Sequence, residues 1–193
     1  SYREDETILH DLSFAVEPGK VLGLLGRTGS GKTTITRLLF RLYEPQNGII
    51  CLGDSDIRTP TLAQLRSQVG MVTQDVQLFR STVRDYLTFF DKDIPDDKII
   101  DLIEDLELNE WFNALPEGLD TELETGSKSL SAGEAQLLAF GRIFLKDPGL
   151  VIMDEASSRL DPATEQKIER AIDKLLENRT GFIVAHSLKP VKR

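Results

Sequence analysis

Gly26-Arg27-Thr28-Gly29-Ser30-Gly31-Lys32-Thr33 satisfies every fixed position of the pattern G-x-x-x-x-G-K-[ST]. The stretch before it, Val21-Leu22-Gly23-Leu24-Leu25, is a short apolar run that reads as a buried strand. The stretch after it, Thr34-Ile35-Thr36-Arg37-Leu38-Leu39-Phe40, reads as a helix. Strand, glycine loop, helix is the context in which this pattern binds phosphate. Gly26, Gly29 and Gly31 let the backbone curl until several N–H groups face one anion. The helix start adds partial positive charge. Lys32 is long enough to reach β- and γ-phosphates, and the Thr33 hydroxyl suits Mg²⁺. The competing reading is a chance glycine-rich turn.

The bulk numbers set wide bounds. At 193 residues the chain suits one large domain or two intimate subdomains, and 40% apolar composition supplies an ordinary core. A net charge of −9 argues against a nucleic-acid partner, which favours a basic face. It leaves a nucleotide possible, because a phosphate loop works through its local field. The single Cys51 rules out an internal disulfide and fits a reducing compartment. No apolar run approaches the roughly 18–20 residues that span a bilayer. Taken alone, this composition describes a soluble domain of cytoplasmic type.

Further along, Leu150-Val151-Ile152-Met153 and Phe182-Ile183-Val184-Ala185 are continuous apolar runs that end at Asp154 and His186. Such runs suit central strands of a parallel sheet covered on both faces. The stretch from Thr7 to Glu17, and Ile49-Ile50-Cys51-Leu52 after Asn47-Gly48, are expected to pair in a small antiparallel sheet beside the loop. Between Asp97 and Leu108, Ile99, Ile100, Leu102, Ile103 and Leu106 recur at helical spacing, and Ala132 to Lys146 also reads as a helix. Asp161-Pro162 reads as an N-cap followed by proline in the first turn, opening a helix that runs to about Asn178. The expected organisation is an α/β core of the phosphate-loop ATPase type, with a mostly parallel central sheet. Residues 1–79 and 147–193 form that core and its antiparallel β-subdomain, and 80–146 form a helical subdomain.

Two polar constellations carry further chemistry. Asp154-Glu155 closes an apolar run, where a carboxylate can hold Mg²⁺ and its neighbour can polarise water. Two solvated acids at a strand end is the plainer alternative. Leu130-Ser131-Ala132-Gly133-Glu134 opens a helix. Ser131 and Glu134 have capping-box spacing, and the same helix start, built of small residues, can bind phosphate.

Taken in order, these segments resemble the nucleotide-binding domain of an ABC transporter. Residues 26–33 match Walker A, Gln74 the Q-loop, Leu130–Glu134 the signature usually written LSGGQ, and Leu150–Glu155 Walker B. Ser158-Arg159-Leu160-Asp161 matches the D-loop and His186 the switch histidine, while Tyr2 stands where the family stacks an aromatic ring on adenine. The resemblance covers essentially the whole chain. It implies ATP and Mg²⁺ bound between two such domains arranged head to tail. Gly26, Arg27, Thr28, Gly29, Ser30, Gly31, Lys32, Thr33 and Thr34 would hold the phosphates. Thr33, Gln74 and Asp154 would hold Mg²⁺, Glu155 would be the general base, and His186 would contact the γ-phosphate. Ser131 and Gly133 would close over the partner's ATP. It also implies attached transmembrane domains, hence a place at the cytoplasmic face of a membrane, and a longer protein of which this chain is a piece.

Leu78-Phe79-Arg80-Ser81-Thr82-Val83-Arg84-Asp85-Tyr86 is similar to the LF-x-x-T-[IV]-x-x-N stretch of exporter-type domains, which faces the membrane domain. Asp120-Thr121 before the signature also looks exporter-like. The chain departs from the pattern at four positions. Tyr86 stands where Asn is usual and Thr125 where Glu is usual; in the signature, Ala132 replaces Gly and Glu134 replaces Gln. The altered signature beside intact Walker motifs allows a second reading, a regulatory ATP-binding module with weak hydrolysis in a heterodimeric ABC protein.

Overall fold

The structure is a computed structural model and describes residues 8–27, 29–73, 76–123, 130–154 and 161–185. Its elements follow in chain order. Strand β1 (Val21–Leu25) leads through the glycine loop into helix α1 (Lys32–Leu39). The two-residue strands β2 (Cys51–Leu52) and β3 (Ser55–Asp56) make a tight hairpin, followed by α2 (Leu62–Gln68) and β4 (Val69–Val72). Next come β5 (Ser81–Thr82), α3 (Val83–Thr88), α4 (Asp96–Asp105), α5 (Asn109–Asn113), a 3₁₀ turn at Gly118–Asp120, and β6 (Glu122–Leu123). The long α6 (Ala132–Lys146), β7 (Leu150–Asp154), α7 (Pro162–Leu176) and β8 (Thr180–Ala185) complete the fold.

Among the described residues β1, β8, β7 and β4 form one sheet in that order, with every pairing parallel. The expected central runs are thus β7 and β8. Their side chains alternate between two cores, as a sheet covered on both faces requires. Val151 and Met153 face a large cluster with Phe140, Ile168 and Leu175 of α6 and α7. Ile152, Phe182 and Val184 face a second cluster with Ile35 of α1 and Leu65 of α2. The result is three layers, helix–sheet–helix. The larger cluster continues from β7 through α6 into Tyr86 and Leu87 of α3 and Ile99 and Ile103 of α4.

The opening segment differs from expectation. Residues 8–17 form no strand; the small antiparallel pair beside the core is β2 with β3, and a second one joins β5 to β6. The segment is held by side chains instead of a hydrogen-bond ladder. Phe14 stacks on Phe182 at 6.1 Å between ring centroids, and Leu9 packs against the second cluster. Asp11, with φ 44, breaks the extended run that a strand would need.

Helices α6 and α7 begin where the sequence places them. Asp161 Oδ1 accepts from the N–H groups of Ala163 (3.1 Å) and Thr164 (3.0 Å), and Pro162 occupies the first turn. The Thr164 hydroxyl and backbone N–H, with the Ala163 N–H, hold the Asp161 carboxyl below its ordinary value. A carboxyl whose folded value is depressed contributes stability above its unfolded value and loses it as pH falls through the folded one. Asp161→Ala is therefore expected to lower the urea midpoint at pH 7. The gap from the parent chain should narrow as pH drops below the ordinary carboxylate range, which paired denaturation curves at pH 7 and pH 3 would read.

Candidate functional site

At the end of β1 the chain leaves the sheet at Gly26 and turns back into α1. The turn is closed by the Ser30 N–H donating to the Arg27 carbonyl at 3.1 Å. Gly29 (φ 84) and Gly31 (φ 89) sit in the left-handed region, where a side chain would be strained. Gly31 is also the residue before α1, and no side chain caps the first amides of that helix. Helices α2, α6 and α7, by contrast, are capped by Thr61, Ser131 and Asp161. The first turn of α1 carries no acid either. The free N–H groups and positive end of α1 thus remain open to an anion.

Lys32 is 6% exposed, and its Nζ donates to the carbonyls of Gly26 (2.6 Å) and Arg27 (2.9 Å). The ammonium is therefore held over the loop before any phosphate arrives. Thr33 is exposed and Thr34 half-buried, while Thr36 one turn on is buried and ties its hydroxyl to the Thr33 carbonyl at 2.9 Å. Beneath the loop, a Cβ built on Gly31 would lie 2.7 Å from Leu9 Cδ2. Nothing in the sequence marked Leu9 as the floor of the loop; it read as one apolar residue among several.

Because the sheet is wholly parallel, its strands all end at one edge, where ligands of such sheets bind. Leu25 is paired with Ala185, Asp154 with Val184, and Val72 with Met153, so the four strand ends lie level. That edge carries the loop and Asp154, which is half-buried. A hydroxyl at Thr33 and a carboxylate at Asp154 are hard oxygen donors of the kind that share Mg²⁺ with phosphate oxygens. Among the described residues no group of three or more His, Cys, Asp or Glu could hold a metal by itself. Gln74, Glu155 and His186 follow Val72, Asp154 and Ala185 by two, one and one residues. These three, with Tyr2 and Thr28, lie outside the described residues.

The signature segment stands apart. Ser131 and Glu134 form the full capping box: the Glu134 N–H donates to Ser131 Oγ (3.2 Å), and Glu134 Oε2 accepts from the Ser131 N–H (2.7 Å). Gly133 is buried, and a Cβ there would lie 2.1 Å from Thr164 Cγ2 of α7. Helix α6 packs on β4, with Lys146 Nζ bound to the Val69 carbonyl at 3.1 Å. β4 and β1 are opposite ends of the four-strand order, roughly 14 Å apart at about 4.8 Å per strand. The chain brings together the loop and Asp154, and keeps Ser131 and Gly133 on a helix at the other side of the sheet.

Comparison with known proteins now adds identity. The profile of the family described as "ABC transporter" matches residues 9–158. The chain belongs to the ABC transporter family. It is a nucleotide-binding domain of that family, and its similarity runs to exporter-type members. It is 38% identical over 192 residues to the ATP-dependent lipid A-core flippase of Legionella pneumophila (strain Paris), covering 100% of this chain and 33% of the flippase. It is 36% identical over 192 residues to the fatty acid ABC transporter ATP-binding/permease protein of Mycobacterium bovis (strain ATCC BAA-935 / AF2122/97), covering 100% of this chain and 30% of that protein. Its fold superposes on a bacterial Atm1-family ABC exporter solved with ATP bound, at TM-score 0.86 and 35% identity, over 97% of this chain and 33% of the exporter. The chain thus spans about a third of the length of these relatives. No helix among the described residues is long and apolar enough to cross a membrane.

The sequence showed Gly133 as part of the signature but did not show Thr164 as its neighbour. Gly133→Ala drives a methyl into Thr164 and is expected to cost about 1–3 kcal/mol. Adding Thr164→Ser, which removes Cγ2, should recover most of that loss. Urea unfolding of the single and double variants measures both.

Proposed function

We propose that this domain binds and hydrolyses ATP, and that it does so as one of a pair that drives transmembrane domains at the cytoplasmic face of a membrane. One observation carries the binding half: an uncapped helix start behind two left-handed glycines, with the Lys32 ammonium already lodged at the loop mouth. The domain's place in a family of ATP-binding transporter components supports the rest.

In this reading the loop amides from Gly29 to Thr34 bind the phosphate oxygens, and Lys32 neutralises charge that builds on them in the transition state. Mg²⁺, held by Thr33, Asp154 and Gln74, would supply further charge neutralisation. Glu155 takes the proton of the attacking water, and His186 orients the terminal phosphate. Tyr2 supports the adenine ring. Phosphoryl transfer needs positioning and charge compensation more than covalent help, so these roles suffice.

The separation of loop and signature across the sheet supports the need for a second copy. Helix α6 is packed on β4 and α7, away from β1, so its start cannot fold over its own loop without losing that packing. Ser131 and Gly133 would serve ATP held by the partner domain. The helical region 80–146 would then act as the arm that presents the signature. Membership of the transport machine as a whole, and its cargo, belong to the transmembrane part.

Three measurements test this. Glu155→Gln should lower ATP turnover by roughly 10²–10⁴-fold while fluorescent ATP analogue still binds; unchanged turnover would remove Glu155 from the mechanism. Lys32→Ala should abolish analogue binding. Specific ATPase activity should rise with protein concentration, and a verified monomer with concentration-independent activity would overturn the paired site.

A further inference from the structure

Two glycines of α6 let other helices come close. At Gly141 a Cβ would lie 3.0 Å from Leu87 Cδ2, 3.1 Å from Leu106 Cδ1 and 3.3 Å from Leu102 Cδ2, so α6 packs there on neighbours from within residues 80–146. At Gly133, the second residue of α6, the neighbour is Thr164, the third residue of α7, a helix that follows β7. A Cβ on Gly133 would lie 2.1 Å from Thr164 Cγ2, 3.4 Å from its Cβ and 3.6 Å from its Oγ1. The Thr164 methyl thus fills the space that a side chain at 133 would take. The start of the signature helix rests against that methyl.

The methyl is itself held. Thr164 is half-buried, its backbone N–H donates to Asp161 Oδ1 at 3.0 Å, and its hydroxyl donates to the same carboxyl. A threonine in a helix divides between two rotamers. The hydroxyl bond to Asp161 selects one of them, and that one turns the methyl onto Gly133. The cap of α7 therefore holds Thr164, and Thr164 holds Gly133. Other ties from α7 to the helical region are weaker. Arg170 Nε and Nη2 reach the Glu107 carboxylate at 2.8 and 2.9 Å, and Lys174 Nζ reaches Asp105 at 2.7 Å. These four side chains are roughly half exposed, and such pairs contribute little in water. They stand roughly two and three turns along α7 from Thr164, too far to set where its first turn meets α6.

We propose that Thr164 is a positioning residue of the paired ATP site: its methyl sets where Ser131 and Gly133 stand against the partner's ATP. The inference rests on the paired-site reading above and adds the residue that places the signature. Thr164 touches no nucleotide in that reading and acts through Gly133. Removing the methyl leaves the phosphate loop as it is and lets the start of α6 shift into the gap. A methyl on residue 133 fills the same gap from the other side.

The test uses the full-length transporter with Cys51→Ser and any cysteine outside this chain replaced. Ser30→Cys on the loop and Ala132→Cys beside Ser131, both at exposed positions, are then its only thiols. With a non-hydrolysable ATP analogue and a mild oxidant, a disulfide should form between the two domains of the pair. Thr164→Ser, which removes Cγ2 and keeps the hydroxyl, should slow its formation about fivefold, the factor expected of one buried methyl. Combining it with Gly133→Ala, which moves the methyl across the contact, should return the rate to within about twofold of the parent. Arg170→Ala should leave the rate within about twofold. Without the added cysteines, Thr164→Ser should lower kcat for ATP several-fold and change KM less. A rate indifferent to Thr164→Ser, equal slowing by Arg170→Ala, no recovery in the methyl exchange, or a kinetic effect confined to KM would each overturn the proposal. No disulfide in the parent would strike the paired site and Thr164's role with it. A parent that links as expected but does not turn over ATP would sustain Thr164's role and strike hydrolysis alone.

Discussion

A wholly parallel sheet forces four strand ends to one edge, and the site hangs on that constraint. The pairing of Leu25 with Ala185, Asp154 with Val184 and Val72 with Met153 fixes the edge level to within a residue. A slip of one residue in β7 would move Val151, Ile152 and Met153 to the wrong faces and lose both cores at once. Burial on both faces therefore sets the register. The register in turn sets where Asp154 stands relative to the loop. Site geometry here is a by-product of hydrophobic sorting along three consecutive residues.

The same sorting explains what the sequence made legible. The fold class, the loop, β7, β8 and the starts of α6 and α7 could be read because each rests on a local rule: a fixed glycine spacing, an unbroken apolar run, a capping box, an Asp-Pro start. The opening segment departs from expectation because its apolar spacing is strand-like, yet Leu9 and Phe14 meet the second core through their side chains while Asp11 turns the chain. Contacts between distant elements left no local trace. Leu9 under Gly31 and Thr164 on Gly133 are tertiary facts at unremarkable residues. Arg142 carries no local signal within its helix, and only folding shows three rings gathered round it.

The two polar helix starts are used differently, and the difference is chemical. The first turn of α1 is left without a side-chain acceptor, so its amides are available to a ligand. The first turn of α6 is satisfied internally by Ser131 and Glu134. A helix start already capped offers an anion less than an uncapped one. That difference suits the proposed paired site, in which α1 would hold the phosphate and α6 of a partner domain would touch it in completion.

Glu134 is the hardest feature to reconcile with that completion, because it sets a carboxylate in the first turn of the helix meant to approach a polyanion. Its geometry resolves much of the conflict. The carboxylate is turned back onto the Ser131 N–H at 2.7 Å, a charge-assisted bond at the positive end of the helix. Glutamate at this capping-box position stabilises the start of α6 by the same bond. Ser131 Oγ meanwhile acts as the acceptor for the Glu134 N–H. A serine hydroxyl that accepts one bond still has its O–H to give. The cap therefore uses the oxygen as an acceptor and leaves the hydroxyl proton available to give, which a phosphate oxygen from a partner domain in the proposed paired site would require. The change from Gln to Glu keeps the cap intact, and what it alters is the local field. In the proposed paired site the signature could still donate, into surroundings that the Glu134 charge makes less positive.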